Sequence, residues 1–140
     1  MLTLKQDLPF TVPSELIAYL TEHVKQDGLT TINFKDMKYH PKTGGFYPVK
    51  IMVDKKGNNV AIVYYTDFRY YGQDDYAELS RSNDFNFQEM VFFTEHLGYL
   101  RIDASLANTF HLLVKNALCY VDIGCLDVVE FQHTSGHILL

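Results

Sequence analysis

The sequence predicts an α+β fold, a twisted antiparallel sheet of about five to seven strands with an N-terminal and a C-terminal helix packed on it. Three observations predict this class. Residues 60–81 form a long β-type run with a glycine-containing turn, and residues 13–26 and 103–123 are amphipathic with helical spacing. The connections are short, which favours antiparallel neighbours because parallel crossovers need a dozen residues or more. We therefore expect a single α+β domain over residues 1–140.

The first helix is predicted over residues 13–26. Pro13 suits its first position, where a missing N–H costs nothing, and Glu15 complements the positive end of the helix dipole. Gly28 supplies a stop signal. The apolar side chains that share one face are Leu16, Ile17, Leu20 and Val24. We expect this face to pack on the sheet.

Two strands are predicted next, each with apolar residues that alternate with polar ones. Ile32 and Phe34 mark the first strand, over residues 29–37. The second strand covers residues 46–53, where Val49, Ile51 and Val53 would share one face. Turn-forming residues separate these strands from their neighbours, and they occupy residues 40–45 and 54–59.

The long strand begins at Val60 and reaches a turn at residues 71–75, after which a return strand starts at Tyr76. Regular alternation would divide its side chains between two faces. One face would carry Val60, Ile62, Tyr64, Thr66, Phe68 and Tyr70, and the other Ala61, Val63, Tyr65, Asp67, Arg69 and Tyr71. Because the second set becomes polar toward its end, we expect that face to emerge into solvent there.

Residues 85–97 admit two interpretations. Phe85, Phe87 and the apolar run at 90–93 suit a strand. The stretch 88–97 could instead wind as a helix, and we predict the strand.

The second helix is predicted to begin after Asp103, a suitable N-cap, and to end before Gly124, which suits the C′ position. Its apolar stripe contains Leu106, Phe110, Leu113, Val114, Ala117 and Val121. A closing strand is predicted over residues 125–133, where apolar residues again alternate with polar ones.

The charge distribution argues against nucleic-acid binding. The net charge is −5, and residues 60–100 carry seven acidic residues against two Arg. A phosphate-binding surface needs the opposite sign, because Lys and Arg supply most of the affinity by displacing counterions. An acidic surface could instead attract basic segments of another protein.

The chain shows no export or membrane signal. It has neither a basic leader with an apolar core nor a run of 18 apolar residues, so we expect a cytoplasmic protein with no membrane partner. Cys119 and Cys125 are too few for a disulfide framework and have no partners at zinc spacing. We expect them to be buried thiols.

No motif for catalysis, a metal or a cofactor is predicted. His133 and His137 stand at i, i+4, which on a helix would present both rings to one metal, but turn-like residues 134–136 favour an exposed tail. Asp74 and Asp75 could form an acid–base pair, yet two solvated carboxylates are the ordinary case in a hairpin turn.

The stretch 60–68, together with the helix at 103–123 and its Gly124, resembles a small uncharacterised bacterial family of unknown function. That resemblance covers nearly the whole chain and implies no catalytic residue. In outline only, the order of helix, antiparallel meander and helix with an acidic surface resembles the acidic mitochondrial matrix glycoprotein family. Its members form ring-shaped trimers and bind many proteins. This chain differs in its closing strand, shorter length and weaker charge bias.

The hairpin tyrosines carry the main functional hypothesis. An exposed set of aromatic residues with Arg has the composition of protein interfaces. The residues of this predicted binding surface are Tyr65, Arg69, Tyr71 and Tyr76. The alternative is that strand aromatics only fill the core beneath the helices. The residues expected in the core are Tyr64, Phe68 and Tyr70.

Three classes of function remain open. We favour a non-enzymatic protein-interaction module that self-associates as a homo-oligomer, with a protein partner or a second copy as its ligand. The second class is a small-molecule-binding protein or unrecognised enzyme, with a pocket between sheet and helices that uses Tyr, His and Asp side chains. The third is an acidic decoy for a basic protein surface, which requires the acids at 67–95 to form one exposed stripe.

Overall fold

The computed structural model describes the backbone of residues 1–140 and every side chain except that of Asp74. Within the described residues, eight strands form one sheet and two α-helices lie on one of its faces. The helices are α1 (Ser14–His23) and α2 (Ala107–Asp122). The strands are β1 (Thr3–Leu4), β2 (Gly28–Lys35), β3 (Val49–Lys56), β4 (Asn59–Tyr71), β5 (Glu78–Asn86), β6 (Val91–Thr94), β7 (Gly98–Arg101) and β8 (Val128–Thr134).

The predicted α+β class is confirmed in outline and corrected in two details. The sheet order is β7-β6-β5-β4-β3-β2-β8 with antiparallel neighbours, and β1 adds a short parallel pairing to β4. The described residues therefore hold eight strands, more than the five to seven predicted. Neither helix ends the chain, because β1 precedes α1 and β8 follows α2.

The strand interpretation of residues 85–97 is confirmed, and the helical alternative is wrong. The segment contains the end of β5, a turn at 87–90 and all of β6. Met90 has a φ of 57°, which reverses the chain between the two strands. The two strands that the sequence did not predict are the two-residue β1 and β7, which lies beyond the segment 85–97.

The core lies between the helices and the helix-facing side of the sheet. Phe85 stacks on Phe92 at 4.3 Å between ring centroids, and Phe110 of α2 meets Phe85 edge-on at 5.1 Å. The largest side chains that are fully buried are Tyr65, Phe34, Phe85, Phe110, Leu16, Leu20, Ile32, Ile51, Ile62 and Leu126. Burial stabilises the fold by ~1.5–3 kcal/mol for each large apolar side chain.

Helix α1 is shorter than predicted. Pro13 precedes its first turn, with φ −53° and ψ 133°, and its carbonyl accepts a hydrogen bond from the Leu16 N–H at 3.0 Å. Leu16 and Leu20 are the buried residues of the helix. Val24 is already extended, at φ −104° and ψ 103°, because its side chain enters the core below the helix end.

Helix α2 confirms both predicted end signals. Asp103 Oδ1 accepts a hydrogen bond from the Ser105 N–H at 2.9 Å and caps the 3₁₀ turn Ala104–Leu106, which leads into the helix. Gly124 has a φ of 83°, and the Cys125 N–H donates to the Tyr120 carbonyl at 2.8 Å, the Schellman arrangement. Within the described residues neither helix is long and apolar enough to cross a membrane.

An extra residue in β4 reverses the faces predicted for that strand. Adjacent residues of β3 pair with Ile62 and Tyr64, which leaves Val63 as a β-bulge. A bulge of one residue moves every following side chain to the opposite face, since side chains alternate along a strand. Tyr65 and the odd-numbered residues after it therefore face the helices. The predicted face assignment is correct only as far as Ile62.

The side chain of Gln6 completes the edge of β4 that β5 leaves open. β1 pairs with Asn59 and Val60, whereas β5 pairs from Tyr64 onward. Between them, the Ile62 N–H donates to Gln6 Oε1 at 2.9 Å, and Gln6 Nε2 donates to the Ile62 carbonyl at 2.9 Å. The Gln6 side chain thus supplies the two hydrogen bonds that a neighbouring strand would otherwise make to the buried backbone of Ile62.

Asp54 anchors the last residues of the chain on the face of the sheet away from the helices. Its buried carboxylate accepts backbone hydrogen bonds from Ile138, Leu139 and Leu140 at 2.7, 2.8 and 3.0 Å. His137 Nδ1 lies 2.7 Å from the other oxygen. Burial opposes ionisation, but these hydrogen bonds hold the pKa of Asp54 below its ordinary value.

We expect Gln6→Ala to lower the free energy of unfolding by ~2 kcal/mol, because a buried N–H and a buried carbonyl lose their partners. Urea denaturation followed by circular dichroism would measure the loss. Gln26→Ala, which truncates an exposed glutamine, is the matched control and should change little. Equal effects of the two substitutions would contradict the role of Gln6.

We expect Asp54→Asn to destabilise the protein by ~2–3 kcal/mol at pH 7, because one amide oxygen replaces a carboxylate that has four hydrogen-bond partners. The lowered pKa of Asp54 stabilises the fold above the unfolded-state value of about 3.9, and this contribution is lost as the pH falls below it. Denaturation of parent and variant at pH 7 and pH 3 would test whether the stabilisation by Asp54 decreases as the pH falls. A difference between variant and parent that does not shrink at pH 3 would contradict it.

Candidate functional site

The residues predicted as an exposed binding surface lie in different environments. Tyr65 is only 1% exposed, and its hydroxyl donates to the Leu113 carbonyl of α2 at 3.1 Å. Burial raises the pKa of this phenol well above its ordinary value. The prediction that Tyr65 is exposed is wrong, because the bulge at Val63 turns the side chain into the core. Tyr76, in contrast, is 90% exposed in the turn before β5.

Arg69 and Tyr71 meet at Glu95. Arg69 Nη1 donates to Glu95 Oε1 at 2.9 Å, and the Tyr71 hydroxyl donates to Oε2. The Arg69 guanidinium lies 5.2 Å from the centroid of the Tyr71 ring. Partial burial, reinforced by Glu95, raises the pKa of Tyr71 to about 12. The structure therefore brings Arg69 and Tyr71 together at Glu95 and separates them from Tyr65, and Arg69 Nε is buried without a hydrogen-bond partner among the described residues.

An aromatic and Arg surface does exist, on the face of the sheet that points away from the helices. The Arg81 guanidinium lies 4.5 Å from the Phe93 ring centroid and donates to the Tyr99 hydroxyl at 3.1 Å. Arg81 Nη1 also donates to Asp84 at 2.9 Å, which fixes the guanidinium. Tyr99 is 66% exposed and Leu79 is 48% exposed. We call Leu79, Arg81, Phe93 and Tyr99 the Arg81 patch.

A second β-bulge creates the Arg81 patch. Arg81 and Asn83 pair with adjacent residues of β4, so Ser82 is the extra residue of β5. Residues three apart on a regular strand point to opposite faces. The bulge brings Arg81 and Asp84 to the same face, where they form their ion pair.

A cavity of about 240 Å³ opens between α2, the helix-facing side of β3 and β4, and the loop before β3. At the rim, the loop contacts α2 through the rings of Phe46 and Tyr120, whose centroids are 4.8 Å apart and whose planes are tilted by 58°. The lining residues are Gly45, Phe46, Tyr47, Val49, Tyr65, Asp67, Leu113, Asn116, Ala117, Tyr120 and Leu126. The walls are therefore mainly aromatic and aliphatic.

Asp36 holds the loop that forms the rim of the cavity. Its carboxylate accepts hydrogen bonds from the Phe46 N–H and the Lys38 N–H, each at 2.9 Å. These amides lower the pKa of Asp36. Gly45 has a φ of 139°, and a Cβ there would lie 2.7 Å from the Asp36 carboxylate. The predicted turn at 40–45 thus positions Phe46 and Tyr47.

Asp67 lines the cavity and is 5% exposed. Its Oδ1 accepts from the Asn83 N–H at 2.9 Å, and Asn83 Nδ2 lies 3.2 Å from both oxygens. Burial raises the pKa of Asp67 to about 6, the hydrogen bonds from Asn83 oppose this, and Glu95 and Asp84 add to the rise. Asp67 is the ionisable group in the cavity that changes charge nearest to neutral pH.

The other residues considered from the sequence do not form a common site. His133 belongs to β8 and its Nε2 lies 2.8 Å from the Asp27 carbonyl, whereas His137 contacts Asp54, so the helical i, i+4 geometry is absent. In the described part of the chain, no three His, Cys, Asp or Glu residues are grouped closely enough to hold a metal.

The two cysteines and the aspartates of the hairpin turn were also considered from the sequence. Cys119 is exposed and Cys125 is half-buried, which corrects the prediction of buried thiols; Cys119 lies on the solvent side of α2. Asp75 is exposed in the turn before β5. The alternative of an acid–base pair with Asp74 falls on a side chain outside the described ones.

Most residues of the cavity and of the Arg81 patch carry no signal in the sequence that would group them. Arg81, Phe93 and Tyr99 come from three strands, and no local pattern groups them. Phe46 and Tyr120 lie 74 positions apart and meet only because α2 folds back over β3 and β4. The strand register and the bulges are needed to place them.

We expect Asp67→Asn to raise the free energy of unfolding by ~2 kcal/mol above pH 7. The raised pKa of Asp67 penalises the folded state as pH rises from about 3.9 to about 6, and the penalty is constant above that range. Denaturation at pH 4 and pH 7.5 would measure it, with the exposed Asp7→Asn as control. If the variant were less stable than its parent at pH 7.5, the raised pKa of Asp67 would be contradicted.

Two solved structures are similar to this chain. A hypothetical protein from the VSP-II pathogenicity island of Vibrio cholerae is 28% identical, with a TM-score of 0.78 over 91% of this chain and 98% of that chain. A conserved hypothetical protein from pathogenicity island VPI-2 of Vibrio cholerae O1 is also 28% identical, with a TM-score of 0.75 over 93% and 100%. The latter is described as sharing structural homology with the human P32 protein.

These similarities confirm the predicted resemblances. Human P32 is the mitochondrial matrix glycoprotein, so the likeness in outline to that fold is borne out. A search of the curated proteins found no match. A family model described as "Protein of unknown function (DUF2787)" matches residues 11–131. The chain therefore belongs to the DUF2787 family of proteins of unknown function.

Proposed function

We propose that this protein is a non-enzymatic protein-interaction module that self-associates through the Arg81 patch. The observation that carries the proposal is the combination of a fixed guanidinium with large exposed side chains at Leu79 and Tyr99. Arg and Tyr are enriched at the energetic centres of protein interfaces. Arg81 is held by Asp84 and Tyr99, so little side-chain freedom remains to be lost on binding.

The position of β7 favours a second copy of the chain as the partner. β7 ends the sheet on the side of the Arg81 patch, and its outer edge has no strand beside it within the described residues. Unpaired N–H and carbonyl groups on such an edge can pair with another strand. Two β7 edges in antiparallel pairing would place two Arg81 patches side by side, as a two-fold symmetric dimer requires.

The charges and the thiols of the chain favour a protein partner in the cytoplasm over an acidic decoy or a nucleic-acid partner. Asp67 is buried, and Glu95 and Asp84 are paired with Arg69 and Arg81, so these acids do not form an exposed stripe. An acidic decoy is for that reason not our proposal. The net charge of −5 disfavours a nucleic-acid partner. The free thiols Cys119 and Cys125 suit a reducing compartment, and we propose the cytoplasm.

The second candidate function is the binding of a small molecule. The cavity of about 240 Å³ beneath α2 favours it, because it lies between sheet and helix and has Tyr and Asp side chains as its polar groups. The cavity and the Arg81 patch lie on opposite faces of the sheet, so one function does not exclude the other.

We expect the protein to be a dimer by light scattering at both low and high salt, because burial of apolar surface is not screened by salt. Leu79→Ser combined with Tyr99→Ala should weaken the dimer at least ~10-fold, since truncation of a central interface side chain costs ~1–2 kcal/mol or more. Leu112→Ser, at an exposed leucine on α2, is the matched control and should leave the mass unchanged.

Two results would overturn the proposal. One is a parent protein that is monomeric at both salt concentrations. The other is an oligomer whose mass is unchanged by the double substitution while circular dichroism shows that the variant is folded.

A further inference from the structure

The cavity beneath α2 has an unusual distribution of charge. Among its lining residues, Asp67 is the only one that carries a formal charge at neutral pH. Four aromatic side chains surround the remaining space, and they are Phe46, Tyr47, Tyr65 and Tyr120. Asn116, on the exposed side of α2, adds a neutral polar group to the lining.

Among the side chains that the structure describes, none forms a salt bridge with Asp67, although a buried carboxylate normally has a cationic partner. Its hydrogen bonds come from one neutral residue, Asn83, and two of its three contacts are long, at 3.2 Å. The guanidinium of Arg69, two residues further along β4, is paired with Glu95 instead. Carboxylate oxygens accept more than one hydrogen bond each, so Oδ2 retains capacity for a donor.

We propose that this cavity binds an alkylammonium group, with the ammonium at Asp67 and the alkyl chain along the rings of Phe46, Tyr47 and Tyr120. Aromatic faces attract cations through their quadrupoles, and the attraction is larger where water is excluded. A carboxylate and a cation that are buried together relieve the cost that each would bear alone. An anionic ligand would meet the Asp67 charge in the same space, so the charge selects a cation.

The size of the cavity suits a short chain. A volume of about 240 Å³ is several times the ~30 Å³ that one water occupies in the liquid, which leaves room for an amine of four or five carbons. The ammonium could belong to a free amine or to a lysine side chain of another protein. Both present the same chemistry to Asp67.

The proposal implies a defined pH dependence. The carboxylates that act on Asp67 from neighbouring strands are Glu95 and Asp84, and the ionisable groups of the cavity walls are the phenols Tyr47, Tyr65 and Tyr120. Binding should therefore weaken as pH falls through 6 and Asp67 takes up a proton.

Calorimetric titration with n-butylammonium chloride tests the inference. We expect binding at pH 7.5 that weakens at least ~10-fold at pH 5 and at least ~10-fold in Asp67→Asn, a loss equivalent to ~1.4 kcal/mol. n-Pentanol, a neutral analogue of similar length, should bind at least ~10-fold more weakly than the amine. Asp7→Asn, at an exposed carboxylate, is the matched control and should bind like the parent.

Parallel titrations separate the two sources of the ammonium group. Nα-acetyl-lysine amide that binds as well as the amine would support a protein lysine as the ligand, and butylammonium alone would support a free amine. Equal binding of butylammonium and pentanol, equal binding by the parent and Asp67→Asn, or no binding of either amine would overturn the proposal. Because Asp67→Asn is expected to be more stable than its parent, loss of binding would not reflect unfolding, and a denaturation curve of the same sample verifies this.

Discussion

Two β-bulges determine what each face of this sheet can do. Val63 in β4 and Ser82 in β5 each add one residue to a strand, and each reverses the alternation that follows it. Without the first bulge, Tyr65 and Asp67 would point away from the helices, and the cavity beneath α2 would lose the Tyr65 phenol and its only carboxylate among the lining residues. Without the second, Arg81 would leave the face that Asp84 occupies. Both surfaces, and the burial of Tyr65 in the core, therefore depend on these two bulges.

The two buried carboxylates of the sheet illustrate how environment separates chemically identical groups. Asp54 has three backbone amides and His137 as partners, and its pKa is lowered despite burial. Asp67 has a single neutral partner residue and two carboxylates nearby, and its pKa is raised to about 6. A carboxylate whose lone pairs are satisfied by the fold serves to hold the chain together. A carboxylate that is buried without sufficient donors takes up a proton, or binds a cation, more readily.

The sequence predicted those features that depend only on residues close together in the chain, such as the ends of α2. Asp103 and Gly124 mark the ends of α2 because an N-cap and a left-handed C′ residue are needed within a few positions of the helix ends. Strand faces could be predicted only up to Val63, because a bulge leaves no mark in a run of β-branched and aromatic residues. The cavity and the Arg81 patch could not be predicted, since each is assembled from residues that only the sheet register brings together.

Asp84 connects the two surfaces electrostatically. It pairs with Arg81 on the face of the patch, and its charge also contributes to the raised pKa of Asp67 on the helix-facing side. A partner that drew Arg81 away from Asp84 would leave that carboxylate less neutralised and would raise the pKa of Asp67 further. A cation bound at Asp67 would act in the opposite direction. Because linkage between binding equilibria is reciprocal, any effect of dimerisation on the cavity has an equal effect of the cavity's ligand on dimerisation. The thickness of a single sheet separates the two sites, so their coupling needs no change of conformation.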